Sequence, residues 1–375
     1  MNRKILIVGV EPFSIVNFRG RLIQDFIAEG YEVVALAKGG SPHQVAQITA
    51  LGCRYISYAA SRTSINPILD LWTLIQLLRH IVVEKPTHVL AYTIKPVIWG
   101  GIACRFFPRL RFIAMITGLG YAFNEGGGLR RFVKVCATFL YRIGLSGASA
   151  VIFQNADNKS EFQKLKITLD DAKVHVTKGS GVDLDYFTFK QGNVNKSSLT
   201  FLLIARMLSD KGIAEFIDAS IVVSQCHPDT RFILAGPEDD SPNSLNIREL
   251  LSDVDSAKIS YLGALSDVRA VIEHADIFVL PSYHEGMPRT VLEAMSIGRP
   301  IITTNVSGCK ETVVDGFNGW LTPHKNSVIL AEKMRWFVEN QGRVQEMGFN
   351  SRSLAVEHFD VNKVNRSILQ IVNES

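Results

Sequence analysis

The sequence predicts an α/β protein with two doubly wound parallel-sheet domains that face each other across a cleft. Two observations lead to this fold class. Short runs of aliphatic and β-branched residues alternate with amphipathic helical segments along the chain. The series pauses around residues 180–198 and then resumes, and 375 residues exceed one ordinary core. Ligands of such sheets bind beyond the carboxyl ends of the strands, so functional residues are sought directly after each apolar run.

The first domain is predicted to cover residues 1–190. Helices are predicted between its strands, such as Gly20–Glu29 and Pro67–Val83, the latter preceded by the possible caps Ser64 and Asn66. The segment Gly9–Ser14 after the first strand is not GxGxxG, which weighs against a dinucleotide-dependent oxidoreductase. The predicted strands are Lys4–Gly9, Glu32–Leu36, His88–Tyr92, Arg111–Met115 and Ala150–Gln154.

The second domain is predicted to cover residues 196–355, after the polar linker Lys190–Ser198. Its predicted strands are Leu199–Ala205, Thr230–Gly236, Ile259–Leu262, Ile277–Pro281 and Pro300–Thr304. Residues 356–375 are predicted to add a C-terminal helix.

Composition excludes several classes of protein. The five cysteines are odd in number and never form a CxxC pair, which argues against a disulfide framework or a zinc site. The longest apolar segment, residues 65–83, contains Asp70, Gln76, Arg79 and His80 and does not have the pattern of a membrane span. No nucleic-acid-binding module is recognisable.

The charge of the chain is unevenly distributed. Residues 1–150 carry 17 Lys and Arg against seven Asp and Glu, whereas residues 151–375 carry 23 against 29. One interpretation is that the first half of the chain binds an anionic surface or ligand. Basic residues that are scattered over the surface and solvated would explain the asymmetry equally well.

One predicted turn carries two glutamates eight positions apart. Asp276–Ser282 is predicted as a strand, Tyr283–Pro288 as a turn and Arg289–Ile297 as a helix, whose N-terminus is a ready anion site. Glu285 lies in the turn and Glu293 one turn inside the helix, where its carboxylate can bind two vicinal hydroxyls. A nucleotide-sugar fits this layout, although an isolated pair with this spacing is usually two surface charges.

Two basic residues follow the first strand of the second half. Arg206 and Lys211 are five positions apart across a loop that leads into a helix near Gly212. Departure of a nucleoside diphosphate develops negative charge, which two fixed cations stabilise without a metal. Taken alone the pair is usually a surface feature, but its combination with the Glu285 turn favours a site.

Together these motifs resemble a known family. Over essentially its whole length the chain is similar to the retaining glycosyltransferases of the GT-B family four group, which have two Rossmann-like domains. The resemblance is carried by Arg206, Lys211, Glu285, Glu293, Gly236-Pro237, Gly263-x-Leu265 and Gly308-x-x-Glu311. A narrower likeness, to bacterial enzymes that extend undecaprenyl-diphosphate-linked glycans, notably α-1,3-N-acetylgalactosaminyltransferases, is carried by Ser61–Pro67, Lys95-Pro96, Gly118-Leu119-Gly120 and Glu285–Pro288.

The resemblance implies a role for each matching residue of the second domain. Arg206 and Lys211 bind the donor diphosphate and assist its departure, and Glu285 completes the implied catalytic set by contacting the donor sugar. Glu293 contacts the ribose, and Leu262–Leu265 lines the base. The remaining donor-binding positions implied are Asn17, Gly236, Leu265, Gly286, Met287, Pro288, Arg289 and Thr290, with Pro288 unable to donate a backbone N–H.

The first domain is implied to hold the acceptor. Its loop Phe13–Arg19 closes over both substrates and contributes Arg19 to the acceptor site, although many relatives have a Gly-Gly pair there. Many relatives also have an active-site histidine after the fourth strand, where this chain reads Ala91–Pro96 without one. Lys95 is therefore predicted as an acceptor contact, together with Tyr121. The C-terminal helix 356–375 is expected to return to this domain.

The implied reaction is transfer with retention from a UDP-sugar, with an N-acetylhexosamine such as GalNAc as the sugar. The acceptor is an undecaprenyl-diphosphate-linked saccharide of a bacterial surface glycan. No cofactor and no metal are expected, and no motif residue is placed as a covalent nucleophile. Asp183-Leu184-Asp185 matches the DxD metal signature of another glycosyltransferase fold but has the context of a connector turn.

Membrane contact is the last prediction. Leu129–Arg142 and Arg105–Arg111 mix basic and apolar residues and can sit on the anionic inner face of the plasma membrane, so a cytoplasmic, peripheral location is expected. A core helix with snorkelling arginines is the alternative for either segment. Two other functions stay open: a sugar-nucleotide epimerase or hydrolase of the same fold, and a non-catalytic carbohydrate-binding protein.

Overall fold

The computed structural model describes residues 3–60, 66–118, 128–167, 170–192, 198–239, 241, 243–252 and 258–375, except for the side chains of residues 129 and 130. The chain divides into two compact units. Unit 1 comprises Met1–Ser180 with Lys363–Ser375, and unit 2 comprises Gly181–Asn362. Each unit is a parallel sheet with helices packed on it, so the predicted fold class of two doubly wound α/β domains is confirmed.

Within the described residues, unit 1 has a seven-stranded sheet with the order β3-β2-β1-β4-β5-β6-β7. All neighbouring strands pair in parallel. The strands are β1 Arg3–Val8, β2 Tyr31–Ala37, β3 Arg54–Ser57, β4 His88–Tyr92, β5 Arg111–Ile116, β6 Ala150–Phe153 and β7 Val174–Val176. The helices are α1 Pro12–Ala28, α2 Pro42–Thr49, α3 Pro67–Glu84, α4 Ile94–Cys104, α5 Gly128–Leu145 and α6 Ala156–Lys164.

The two faces of the unit 1 sheet are covered by different helices. Alternate residues of β1 point to opposite faces, as the strand period requires. Leu6 and Val8 pack with α3, α4, α5 and α6, whereas Ile5 and Ile7 pack with α1 and α2. Both faces are therefore dry, which explains why the central strands are apolar throughout.

Unit 2 repeats the pattern with a six-stranded sheet, as far as the structure describes it, in the order β10-β9-β8-β11-β12-β13. The strands are β8 Thr200–Ile204, β9 Arg231–Ala235, β10 Ile259–Tyr261, β11 Ile277–Leu280, β12 Ile301–Thr304 and β13 Gly319–Thr322. The helices are α7 Ile213–Cys226, α8 Ile247–Leu250, α9 Arg269–His274, α10 Arg289–Ile297, α11 Ser327–Glu339 and α12 Gly342–His358, and α13 Val361–Glu374 follows.

The predicted loop Phe13–Arg19 is wrong. These residues form the first turns of α1, which begins at Pro12 rather than at Gly20. Proline at the first helical position fixes φ near its helical value and gives up an N–H that has no intrahelical partner there. The amide of Asn17 donates to the Phe13 carbonyl oxygen at 2.9 Å, one helical turn earlier, and so closes on its own helix.

The unit boundary also differs from the predicted linker at residues 190–196. The Val182 N–H donates to the Phe359 carbonyl oxygen at 2.7 Å, and the Lys190 N–H donates to that of Ile297 at 2.9 Å. Val182 is buried in a unit 2 core, so residues 181–190 belong to unit 2. The last helix, α13, begins at Val361 rather than at residue 356, and Lys363–Ser375 lie in unit 1.

Short edge elements were absent from the prediction. Strands β3, β7 and β13 and helix α2 were not predicted, because each is short and its burial is incomplete. Such elements form through pairing with a neighbouring strand or a local cap, and neither leaves a long apolar run in the sequence.

Candidate functional site

Four loops of unit 2 meet at the carboxyl edge of its sheet. They follow β9, β8, β11 and β12, which are consecutive in the strand order. The loop after β8 carries Arg206 and Lys211 and leads into α7. The loop after β11 carries Glu285 and leads into α10, which contains Glu293. The sequence motifs therefore converge on one edge because neighbouring parallel strands end together.

Lys211 and Glu285 form an ion pair at this edge. The Lys211 ammonium lies 2.6 Å from a Glu285 carboxylate oxygen, with side-chain exposures of 14% and 17%. The two loops are also joined through the backbone. The Asp210 carbonyl oxygen accepts hydrogen bonds from the Tyr283 N–H at 2.8 Å and from the Ser282 hydroxyl at 3.1 Å. The pair is held by a shared scaffold, so its charges are fixed in position.

Two glycines allow the loops to approach so closely. Gly212 has φ of +71°, and a Cβ there would lie 2.2 Å from the Pro281 carbonyl oxygen. Gly308 has φ of +84°, and a Cβ there would lie 2.4 Å from the carbonyl oxygen of Glu285. Positions with left-handed backbone and no room for a side chain accept only glycine. Gly308, from the loop after β12, thus supports the turn that carries Glu285.

Arg206 pairs with Asp239, which was not among the predicted site residues. Its guanidinium lies 2.5 Å from a carboxylate oxygen of Asp239, in the loop after β9. A second oxygen of Asp239 accepts from the Ser241 N–H at 2.9 Å. The only sequence signal is an acidic residue three positions after Gly236 at a strand end. Each predicted cation is therefore held by one carboxylate.

The predicted base-lining segment lies beside these loops. Gly236 has φ of +133°, its N–H donates to the Gly263 carbonyl oxygen at 2.7 Å, and its own carbonyl accepts from the Tyr261 hydroxyl at 2.8 Å. Leu265 is half-buried and packs on the unit 2 core. Leu262 is exposed.

Helix α10 begins at Arg289 and ends at Ile297, as predicted, with Gly298 in the left-handed C-cap conformation. The preceding Pro288 is buried and makes no side-chain cap hydrogen bond to the first turn. Gly286, Met287, Arg289 and Thr290 are all half-buried around this N-terminus. The first N–H groups of a helix have no intrahelical acceptor, and this one adjoins the Lys211–Glu285 pair.

Glu293 is buried one turn inside α10. It is 6% exposed, and its carboxylate accepts from the Arg289 Nε at 2.8 Å. Burial raises the pKa of Glu293, and the neighbouring Arg289 opposes this rise. Arg289 was predicted only through its backbone N–H, and its side-chain contact with Glu293 follows from the i, i+4 spacing.

The buried thiol of Cys309 lies behind the Glu285 turn. Burial raises its pKa to about 12, so the thiol stays protonated at neutral pH. A thiolate is the nucleophilic form of cysteine, so Cys309 is a packing residue here.

The acceptor residues predicted in unit 1 differ in how far they are buried. Arg19 is 2% exposed, donates to the Ser180 hydroxyl at 3.0 Å and lies 4.9 Å from the centroid of the Tyr92 ring. Its predicted contact with an acceptor stays a prediction. Lys95 forms an ion pair with Asp70 at 2.6 Å and keeps 17% side-chain exposure. Tyr121 lies outside the described residues.

Asp183 and Asp185 form the connector turn that the sequence predicts. Asp183 accepts from the backbone N–H groups of Asp185 at 3.1 Å and Tyr186 at 3.0 Å. In the part of the chain that the structure describes, no three His, Cys, Asp or Glu side chains cluster as metal ligands do. Independence from metal stays a prediction.

Two family profiles match the chain. Residues 6–155 match a profile described as "Glycosyl transferase 4-like", and residues 186–354 match one described as "Glycosyl transferases group 1". The second match contains every residue selected at the unit 2 edge.

Individual proteins are also similar. An N,N'-diacetylbacillosaminyl-diphospho-undecaprenol alpha-1,3-N-acetylgalactosaminyltransferase of Campylobacter jejuni is 28% identical, with 96% of this chain and 95% of that protein covered. A UDP-Gal:alpha-D-GlcNAc-diphosphoundecaprenol alpha-1,3-galactosyltransferase of Escherichia coli is 27% identical over 69% of this chain and 68% of that protein. The Anabaena protein HepE, solved with UDP and glucose, has a TM-score of 0.80 at 18% identity with both chains fully covered. This last likeness bears on the fold alone.

Proposed function

The chain belongs to the group 1 glycosyltransferases of GT-B fold, and from this membership we propose that it transfers a sugar with retention from a UDP-sugar to an undecaprenyl-diphosphate-linked saccharide. An N-acetylhexosamine such as GalNAc is the proposed sugar, by analogy with the Campylobacter jejuni relative. The proposed setting is the assembly of a bacterial surface glycan at the cytoplasmic face of the plasma membrane.

The observation that carries the proposal is the convergence of two fixed cations on one sheet edge. The Lys211 ammonium and the Arg206 guanidinium lie beside the carboxylates of Glu285 and Asp239, and a helix N-terminus adjoins them. A diphosphate is the ligand that this arrangement suits, because it can share both cations while the helix dipole adds a favourable potential. Binding a neutral sugar alone would not call for such a set.

The same groups supply the chemistry. As the bond from the sugar C1 to the β-phosphate oxygen breaks, charge grows on that oxygen, and prepositioned cations stabilise it most when water is excluded. The acceptor hydroxyl oxygen forms its bond to C1 on the same face, and its proton passes to the leaving diphosphate. Glu285 holds Lys211 in place and contacts the sugar. We propose no covalent glycosyl-enzyme, and trapping one on Glu285 would contradict this mechanism.

Glu293 is proposed to bind the ribose. The variant Glu293→Gln tests this role, because we expect it to weaken donor binding while it stabilises the folded protein. We expect the KM for the UDP-sugar to rise about tenfold, because a charged acceptor for two hydroxyls becomes a neutral one. We also expect the melting temperature at pH 7 to rise. The pKa of Glu293 is raised in the folded state, so the free energy of unfolding falls as pH rises from the unfolded pKa to the folded pKa. Glutamine does not ionise, so the variant does not lose this free energy.

The matched control for this prediction is Glu339→Gln. Glu339 also follows an arginine by four positions, Arg335, at 3.7 Å, but on the exposed side of α11. It should change neither the KM nor the melting temperature. An unchanged donor KM in the Glu293 variant would remove Glu293 from the donor site.

The test of the proposed function is UDP release from a panel of UDP-sugars, with and without a polyprenyl-diphosphate-linked saccharide, in EDTA. We expect release from one donor that depends on the acceptor and continues in EDTA. Equal release without acceptor would favour the hydrolase alternative, and isomerised donor without release would favour the epimerase. Binding without any turnover would favour a non-catalytic protein. A strict need for a divalent ion would contradict metal independence.

A further inference from the structure

Helix α3 is apolar on two opposite sides. Leu77 and Ile81 face inward and belong to the core of unit 1. At 3.6 residues per turn, the outward apolar residues occupy about one third of the helix circumference. We call this set the outer stripe of α3, and its members are Ile68, Leu71, Trp72, Ile75, Val82 and Val83.

The outer stripe lies open to solvent. Ile68 is 78% exposed, Trp72 51% and Val83 65%. A helix on the surface of a globular protein normally directs polar residues outward, and a helix that is apolar all round is normally buried. Six large apolar side chains on one exposed helix face form a contiguous patch, which marks a surface that meets an apolar partner.

The neighbouring helices extend this surface. Helix α4 packs between α3 and α5, and the three helices cover the same face of the unit 1 sheet. Phe106, directly after α4, is 67% exposed, and α5 exposes Phe132, Val135 and Phe139. Side chains that point away from one sheet face share a direction, so these residues and the outer stripe are presented together.

The charge around the stripe is strongly positive. Residues 67–145 contain ten Lys and Arg against three Asp and Glu. Of the three acids, Asp70 pairs with Lys95 at 2.6 Å and Glu84 pairs with Lys4 at 3.3 Å, while Glu125 lies outside the described residues. The basic side chains of Arg79, Lys85, Arg105, Arg109 and Arg131 are exposed. Apolar side chains with basic residues around them complement a lipid surface whose headgroups are anionic.

We propose that the outer stripe of α3 is the surface through which unit 1 inserts into an anionic phospholipid leaflet. Arg79 lies within the stripe, where its long stem can follow the apolar surface while the guanidinium reaches a headgroup. Trp72 has the amphipathic ring that is enriched at membrane interfaces. Among the described residues, no helix combines the length and hydropathy that a bilayer crossing requires. The inference rests on the proposed lipid-linked acceptor and assigns its membrane contact to α3, which was not among the segments predicted to make that contact.

The experiment uses the tryptophan in the stripe as a reporter. Full-length protein is mixed with phosphatidylcholine vesicles with and without phosphatidylglycerol, and both sedimentation and tryptophan emission are measured. We expect salt-sensitive binding to the anionic vesicles and a blue shift of emission. The chain has four tryptophans, so Trp72→Phe should keep the binding and lose the shift.

The deciding variant is Ile68→Gln/Leu71→Gln/Ile75→Gln, which leaves Trp72 in place. We expect its vesicle partition coefficient to fall at least about tenfold, because three apolar side chains no longer enter the lipid. These side chains are exposed, so the circular dichroism and melting curve should stay native. The matched control is Val222→Gln/Val328→Gln on unit 2, where both valines are also exposed, and it should bind like the native chain.

Three results would overturn the proposal. The first is that the native chain does not bind anionic vesicles. The second is that the triple variant binds them as well as the native chain does. The third is that the native chain forms a dimer and binds no vesicles, while the triple variant is a monomer. The last result would assign the stripe to a second copy of the chain. No sugar substrate enters this experiment, so its failure leaves the proposed transfer standing, and failed transfer to a lipid-linked acceptor leaves the vesicle result standing.

Discussion

Lys211→Ala is expected to lower kcat by about 10²–10³-fold, with a smaller effect on the binding of the UDP-sugar. The reason is that the ammonium stabilises charge that exists fully only as the diphosphate leaves. The substitution also leaves the Glu285 carboxylate, 17% exposed, without its partner at 2.6 Å. Steady-state UDP release with saturating acceptor measures the effect.

The control for this variant is Lys333→Ala. Lys333 lies on α11 of the same unit, and its ammonium sits 4.1 Å from the centroid of the Trp320 ring. Trp320 belongs to β13, whereas Arg206 and Lys211 follow β8, so kcat should not change. Lys211→Arg keeps the charge and should recover part of the activity. Turnover of Lys211→Ala within a few-fold of the native enzyme would remove Lys211 from the catalytic machinery.

Gly308→Ala is expected to reduce both activity and stability. A Cβ would lie 2.4 Å from the Glu285 carbonyl oxygen and 2.8 Å from that of Gly286, at a backbone φ of +84°. Strain and steric conflict together should lower the free energy of unfolding by about 1–3 kcal/mol. Because the turn with Glu285 must shift, kcat/KM should fall about 100-fold.

Gly316→Ala separates backbone strain from steric conflict. Gly316 has a similar φ of +76°, but the nearest atom to an added Cβ belongs to Trp320 at 3.6 Å, an ordinary contact. Denaturant unfolding should report a loss of about 1 kcal/mol and kinetics should report native kcat/KM. If both variants had equal effects on activity, the support that Gly308 gives to the Glu285 turn would be irrelevant to catalysis.

Helix ends were predicted correctly where residues close in sequence mark them, and were missed where no such residue is present. Helix α10 was predicted to the residue, because the turn Tyr283–Pro288 precedes it and Gly298, with Pro300 beyond, marks its end. The start of α1 was missed, since Glu11 provides no side-chain cap and its first turn carries no acidic residue. Residues 13–19 were therefore predicted as a loop, whereas they form the first turns of α1.

The candidate site divides in the same way. The positions of Arg206, Lys211, Glu285 and Glu293 were predictable from the sequence, because they follow strands whose carboxyl ends form the ligand-binding edge of a parallel sheet. Asp239 was missed because its pairing with Arg206 joins residues 33 positions apart. The exposure of the outer stripe of α3 was also unpredictable, since a segment that is apolar on both sides has the same sequence pattern whether its second side meets protein or solvent.

The path of the chain has a consequence for biosynthesis. Unit 1 is discontinuous, since Lys363–Ser375 completes it after the whole of unit 2. Val364, Ile368 and Val372 of α13 are buried in its core beside α1 and the central strands. During translation unit 2 is therefore complete before unit 1 can be, although unit 1 begins first. Until Lys363–Ser375 are synthesised, the first unit lacks the three α13 side chains that belong to its core, so it can complete its folding only after unit 2 has been made.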